Sequence, residues 1–329
     1  MDITQFISTH RRLLLVGFLL LVLIFMATFP LYARPYHVRV LTIILIYVVL
    51  AASWAMFSGT TGYMSLAPAA FFGLGVYTMA LLQQQLPFFL IIPVGGMAAF
   101  ALAALIGLVT LRLRGMYFAI FTFGLVVFMS EIIQFLETRL WQKHGQAIIP
   151  IDNVTLLYTM IGLAVVTVLA TYLIRRSRYG LALSSIGGNE EAAEHMGINT
   201  TMMKVLTFAT SSVFMGAAGV VAAPSLIYVN ANIAFSTFYS FMPIFMAIFG
   251  GMGALYGPVI GAVVFGYLEK TLRAQLYSYF MLGFGIVMVA VILFLPSGIA
   301  GLIPRLQARL AGMSSKLGKG GQAKQHANA

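Results

Sequence analysis

Apolar runs of about eighteen residues or more recur along almost the whole chain, and a run of that length can cross the hydrocarbon core of a bilayer as a helix. Inside lipid every backbone polar group needs an internal partner, which leaves only helices and closed barrels. Barrel strands would read as short segments of alternating polarity, whereas these runs are continuous. Charged residues make up 8% of the 329 and hydrophobic ones 61%, where a soluble domain carries about a quarter charged. The fold class expected is therefore an all-α polytopic membrane protein. Ten spans are predicted, at 13–30, 39–57, 66–83, 88–110, 117–136, 153–174, 205–228, 238–253, 257–272 and 278–296. The count falls to eight or nine if the segments rich in Gly and small residues around 58–75 and 250–262 are broken or half-spanning.

Several function classes drop out early. The chain has no Cys, so disulfides and thiolate metal sites are excluded. The five His, at 10, 37, 144, 195 and 326, are scattered without metal-ligand spacing. The net charge of +11 comes from Lys and Arg at the ends of apolar runs, where they set membrane orientation rather than bind nucleic acid. His10-Arg11-Arg12 before the first run resembles a signal peptide, but the run is long and no small-x-small site follows it, so it is read as a retained helix.

With an even span count, thirteen basic residues fall on one face: Arg11, Arg12, Arg112, Arg114, Arg175, Arg176, Arg178, Lys204, Arg305, Arg309, Lys316, Lys319 and Lys324. Six fall on the other: Arg34, Arg39, Arg139, Lys143, Lys270 and Arg273. The first face, with both termini, is predicted to be cytoplasmic. Residues 1–300 then form the membrane domain, with a cytoplasmic loop at 180–204. Residues 301–329 form a basic tail read as disordered, or alternatively as a binder of anionic headgroups.

Three of the eight acidic residues cluster in one hydrophilic island, Gly187 to Gly197. Gly187-Gly188 is a flexible lead-in. Asn189 is a good N-cap, and Glu190 and Glu191 fall in a first turn where the helix dipole favours negative charge. Gly197 is placed to end the helix. An ordinary solvated loop is the plain alternative. A helix specified at both ends, with Ala192, Ala193, Met196 and Ile198 given no local core, points instead to a docking element. Its candidate residues are Asn189, Glu190, Glu191, Ala192, Ala193, Glu194, Met196 and Gly197.

Two further motifs are rich in small residues. Gly62 to Tyr77 carries Pro68 near the start of an apolar span, and Gly250 to Gly261 carries paired glycines and Pro258. Broken helices are where transporters place substrate paths, and tight helix packing is the competing explanation. On the first reading Ser65, Pro68, Phe71, Phe72, Gly251 and Gly253 line a path. Glu131 joins them as a carboxylate within a span, roughly 21 Å from its inner end. Glu269 and Arg273, spaced i, i+4, are predicted to pair near the outer surface. There is no G-x-x-x-x-G-K-[ST], no chain of intramembrane acids, no filter ring and no nucleophile–base set.

Together these blocks resemble the inner-membrane permease subunits, M-type, of bacterial branched-chain amino acid ABC importers. The carriers of the resemblance are Gly62 to Tyr77, Leu113-Arg114-Gly115-Met116-Tyr117-Phe118-Ala119-Ile120 with Glu131-Ile132, Gly180 with 186–199, and Gly250 to Gly261. The resemblance implies a multi-pass inner-membrane permease with both termini cytoplasmic, paired with an H-type sister subunit. It further implies two ATPase subunits docked on the island as a coupling helix, and a periplasmic solute-binding protein. No cofactor is expected in this chain, and Mg-ATP would sit on the partner ATPases. Gly187-Gly188 replaces the Arg and acidic residue usual in the family, and the string is closer to ribose-type permeases. Urea, amides, aromatic acids and sugars therefore stay beside branched-chain and other hydrophobic amino acids as solutes. A stand-alone carrier or channel is the reading from another class.

Overall fold

The computed structural model describes residues 25–139 and 145–275 continuously, with isolated positions at 17, 21, 282, 283, 285, 286, 289, 293 and 298–300. The predicted span 278–296, the tail 301–329, most of 13–30 and the loop residues Lys143 and His144 lie outside the continuous stretches.

Residues 25–32 are helical. They lead to α1, Pro35–Thr61, which has Pro at its first turn, where a missing amide does no harm. Gly62, at φ +74°, takes the left-handed turn that ends α1. α2, Pro68–Leu82, again opens on Pro. α3 spans Phe88–Thr110 and α4 spans Met116–Arg139. α5, Asn153–Arg176, is capped by the Asp152 carboxylate. Ser177 closes α5 and caps α6, Arg178–Gly188. α7 is Glu190–His195 and α8 is Thr200–Ala222. A short turn, α9 (Ala231–Ala234), precedes α10, Phe238–Gly250, and α11, Gly257–Gln275. Among the described residues the one ladder besides the helices is a two-residue antiparallel pair, β1 (Gln146–Ala147) with β2 (Tyr228–Val229), pairing Gln146 with Val229 and Ala147 with Tyr228.

Among the described residues six helical stretches are long and apolar enough to cross a membrane: α1, α3, α4, α5, α8 with its following turn, and α9 with α10. Two of the predicted spans, 66–83 and 257–272, are not among these six. α2 has 15 residues, about 22 Å at the helical rise, short of a roughly 30 Å core. α11 is long enough but carries Glu269, Lys270 and Arg273. α8 begins at Thr200 rather than 205 and draws Lys204 into the helix.

α1 and α8 form the centre. Of their apolar windows 83% and 78% is buried, against 28–33% for α3, α4 and α5, which present apolar side chains outward. Glycines let backbones touch at this centre. A Cβ on Gly75 of α2 would sit 1.9 Å from the Gly216 carbonyl of α8. One on Gly219 would sit 2.1 Å from the carbonyl of Phe72. Without a hydrophobic drive between helices in lipid, such backbone proximity is a main source of association.

The loops sort to two ends. One end gathers Gly62–Ala67, residues 111–115, α6–α7 and Gly251–Tyr256. The other gathers Arg34, the α2–α3 turn and the β1–β2 ladder, where the Gln83 side chain donates to Ala147 and accepts from Ile149. Arg39 reaches the Ser225 carbonyl at that end. The described Lys and Arg divide almost evenly, with Arg112, Arg114, Arg175, Arg176, Arg178 and Lys204 at the first end and Arg34, Arg39, Arg139, Lys270 and Arg273 at the second.

Candidate functional site

The island folds as its end residues dictate. Asn189 Oδ1 accepts from the Ala192 amide at 3.1 Å, so the N-cap is made. At the other end Gly197 is left-handed, at φ +82°. Its amide bonds Glu194, and Ile198 bonds back to Ala193. One element of the expectation changes: Gly187 and Gly188 are the last turn of α6. A Cβ on Gly187 would lie 2.5 Å from the Thr60 carbonyl, so this glycine serves a close approach to the end of α1.

The three acids of the island have different partners. Glu190 turns inward to Lys204, with Nζ to Oε1 at 2.6 Å, and its other oxygen accepts from the Tyr63 hydroxyl. Lys204 is 2% exposed and also donates to the Leu111 carbonyl at 3.0 Å and to the Tyr63 oxygen at 3.2 Å. Burial alone would raise the Glu190 carboxyl. Hydrogen bonds from Lys204 and Tyr63, with the charges of Lys204 and Arg114, outweigh it and hold the group below its ordinary range. Tyr63 is pushed well up, by burial first and then by the bond to Glu190. Glu194 accepts from the Thr200 hydroxyl at 2.7 Å, at the start of α8. Glu191 pairs with Arg114 at 3.0 Å on the open surface. Ala193 is fully buried. Ala192, Asn189, His195 and Gly197 are exposed, as is Met196 at 66%.

The first small-residue motif is a broken helix start. After Gly62 the chain runs back beside α1, and the Ser65 carbonyl accepts from Trp54 Nε1 at 2.8 Å. Trp54 lies seven residues before Thr61, so α2 begins about 10 Å in from the end of α1. Buried irregular backbone is tolerated when its polar groups are met, and here they are. Leu66 donates to Thr122 Oγ1. Ser240 of α10 donates to the Leu66 carbonyl at 2.9 Å and accepts from the Ala69 amide at 3.1 Å. Ser65 and Pro68 therefore sit at a junction of α1, α2, α4 and α10. Phe71 and Phe72 are fully buried, against Phe208 and stacked on Tyr239 respectively.

The second motif is a hairpin break, with Gly253 in the loop and Gly257 and Gly261 on the next helix. α10 stops at Gly250 and α11 restarts at Gly257, with Gly251 at φ +96°. Arg175 Nη2 donates to the Met252 carbonyl at 3.0 Å and to the Ala55 carbonyl at 3.2 Å, tying this loop to α1 beside the start of α6. Gly251 is buried and Gly253 is open.

Glu131 is not brought to either junction; it lies exposed on α4. The buried carboxylate of that helix is Glu137, which accepts from the Tyr77 hydroxyl at 2.7 Å. Depth within the predicted span favoured Glu131, whereas the helical phase turns Glu137 to the bundle and Glu131 away from it. Glu269 and Arg273 do pair, at 2.8 Å, at the end opposite α7, with the Glu269 side chain buried. Sequence reasoning also passed over Lys204, counted merely as an orienting charge, and Ser240. A lysine four residues into an apolar helix was the available signal for the first; an isolated serine offered none for the second.

A family model described as branched-chain amino acid transport system / permease component matches residues 36–292. The high-affinity branched-chain amino acid transport system permease protein LivM of Salmonella typhimurium is 27% identical, over 93% of this chain and 79% of its own length. LivM of Escherichia coli gives the same figures. The xylose transport system permease protein XylH of Haemophilus influenzae is 28% identical over 41% of this chain and 38% of its own. No solved structure matches.

Proposed function

The chain belongs to the branched-chain amino acid transport permease family, and from that membership we propose that it is the membrane subunit of an ATP-driven importer. Its solute is a branched-chain or other hydrophobic amino acid, received from a periplasmic binding protein and released to the cytoplasm. The relatives named for sugars align with well under half of the chain, whereas LivM aligns with nearly all of it. A second, H-type permease chain completes the pore, and two ATPase subunits dock beneath it.

The observation that carries the reading is α7. It is a capped helix beyond the ends of α5 and α8, tied inward through Glu190 and Glu194 and presenting Glu191, Ala192, His195 and Met196 outward. That form suits a coupling helix, and on this reading the α7 end faces the cytoplasm. The segments 13–30 and 278–296, with α2 and α11, bring the count to ten spans and both termini to the cytoplasm. The broken start of α2 at Ser65 and Pro68 and the α10–α11 break at Gly251 and Gly253 border the solute path.

Uptake of labelled leucine and ribose into proteoliposomes holding the chain with its sister permease, ATPases and binding protein tests this. Leucine should enter only with ATP and binding protein. Ribose uptake without leucine would overturn the solute, and gradient-driven uptake by this chain alone would overturn the importer. Placing Glu at Ala192 and Met196 together should abolish ATPase co-purification.

A further inference from the structure

We propose that Lys204 is a positioning residue for transport, joining α7 to the loop that opens α2, so that a displacement of α7 moves Gly62–Ala67 with it. The inference rests on the coupling reading of α7 and names the route by which that helix would act.

The Lys204 ammonium has three donors, and three acceptors from three elements meet it: Glu190 of α7, Tyr63 of the loop and the Leu111 carbonyl just past α3. Glu190 uses its second oxygen on Tyr63, which closes a ring of three side chains. The ring is almost sealed, with Lys204 at 2% and Glu190 at 14% side-chain exposure. Separating α7 from the loop would take the Tyr63 hydroxyl from both Glu190 and Lys204 and leave that buried pair one hydrogen bond short on each side, which is unfavourable. The two must therefore travel together. The exposed pair Arg114–Glu191 exerts no such hold.

Beyond Tyr63 the connection continues without slack. Trp54 holds the Ser65 carbonyl, Thr122 holds the Leu66 amide, and Ser240 holds both the Leu66 carbonyl and the Ala69 amide. A shift at Glu190 is passed to the first turn of α2 and to α10. Stability alone does not require such a ring, since apolar residues of similar volume commonly replace a buried ion pair without loss.

The test uses the whole importer in proteoliposomes and reads ATP hydrolysed per solute carried, beside assembly. The Lys204→Met/Glu190→Met double variant leaves no unpaired charge, so it should assemble and hydrolyse ATP. Its ratio should rise about tenfold, within the usual span of coupling between sites. Tyr63→Phe, which keeps the ion pair and removes one hydroxyl, should raise the ratio less. A double variant with the wild-type ratio would show that the ring only holds the fold together, and would overturn the inference. If the double variant does not assemble, an unchanged ratio in Tyr63→Phe overturns it instead. Failure of the coupling reading looks different, because the wild-type importer would then transport without regard to ATP.

Discussion

The loop Gly62–Ala67 and the loop Gly251–Tyr256 both interrupt apolar helices at the same end of the molecule, and they are held in different ways. The first is held by side chains. Its amides and carbonyls are met by Ser58, Trp54, Thr122 and Ser240, drawn from α1, α4 and α10. The second is held mainly by missing side chains. A Cβ on Gly250 would lie 1.8 Å from the Gly257 carbonyl, and one on Gly261 would lie 1.9 Å from that of Met246. Polar contact from another helix comes from Arg175. A loop held by hydrogen bonds can be loosened one bond at a time, whereas one held by backbone contact tolerates no added atom.

The largest effect is expected at the second loop. Gly261→Val places a branched side chain against backbone that cannot rotate away. It should lower stability by about 3 kcal/mol or prevent folding, read from thermal unfolding of the purified chain. A merely mild loss would mean that the α10–α11 crossing is loose. At the first loop Ser240→Ala removes a donor and an acceptor together and leaves a buried amide and carbonyl unmatched. About 1–3 kcal/mol should be lost; no change in melting would detach α10 from the α2 junction.

Acid should separate the loops further. Glu190 is held below its ordinary value of 4.5, so its stabilising share is complete above that value and disappears as pH falls through the lowered one. The melting difference between the wild type and Glu190→Gln should therefore be constant from neutral pH to about pH 5 and shrink below it. Gly251–Tyr256 has no such carboxylate, and the effect of Gly261→Val should persist in acid. The smallest effect belongs to Gly253→Ala. The added methyl meets nothing within 4 Å, and stability should stay within about 0.5 kcal/mol.

Much of this was legible in one dimension. Continuous apolar runs fixed the helical membrane class, because lipid offers backbone groups no other partner. The caps of α7 were readable from Asn189 and Gly197, because capping is settled within a few residues. Both glycine-rich breaks were placed correctly for the same reason. Partner choice was not readable. Glu190, Glu191 and Glu194 look alike in sequence, yet one is buried on Lys204, one is open with Arg114 and one caps the approach to α8. Glu131 and Glu137 both lie on α4, and the sequence does not show that the second faces the bundle and the first faces out.

The sequence by itself thus determined that the chain crosses a membrane, where its helices break and which segment stands outside as a capped helix. Those properties depend on local hydrophobicity, on φ and on hydrogen bonds a few residues apart. The tertiary structure decided that Lys204 lies inside the bundle, that Tyr63 closes its ring with Glu190 and that Ser240 joins α10 to the start of α2. Those contacts unite residues from 14 to 174 positions apart, and their energies depend on a burial that no single stretch of sequence contains.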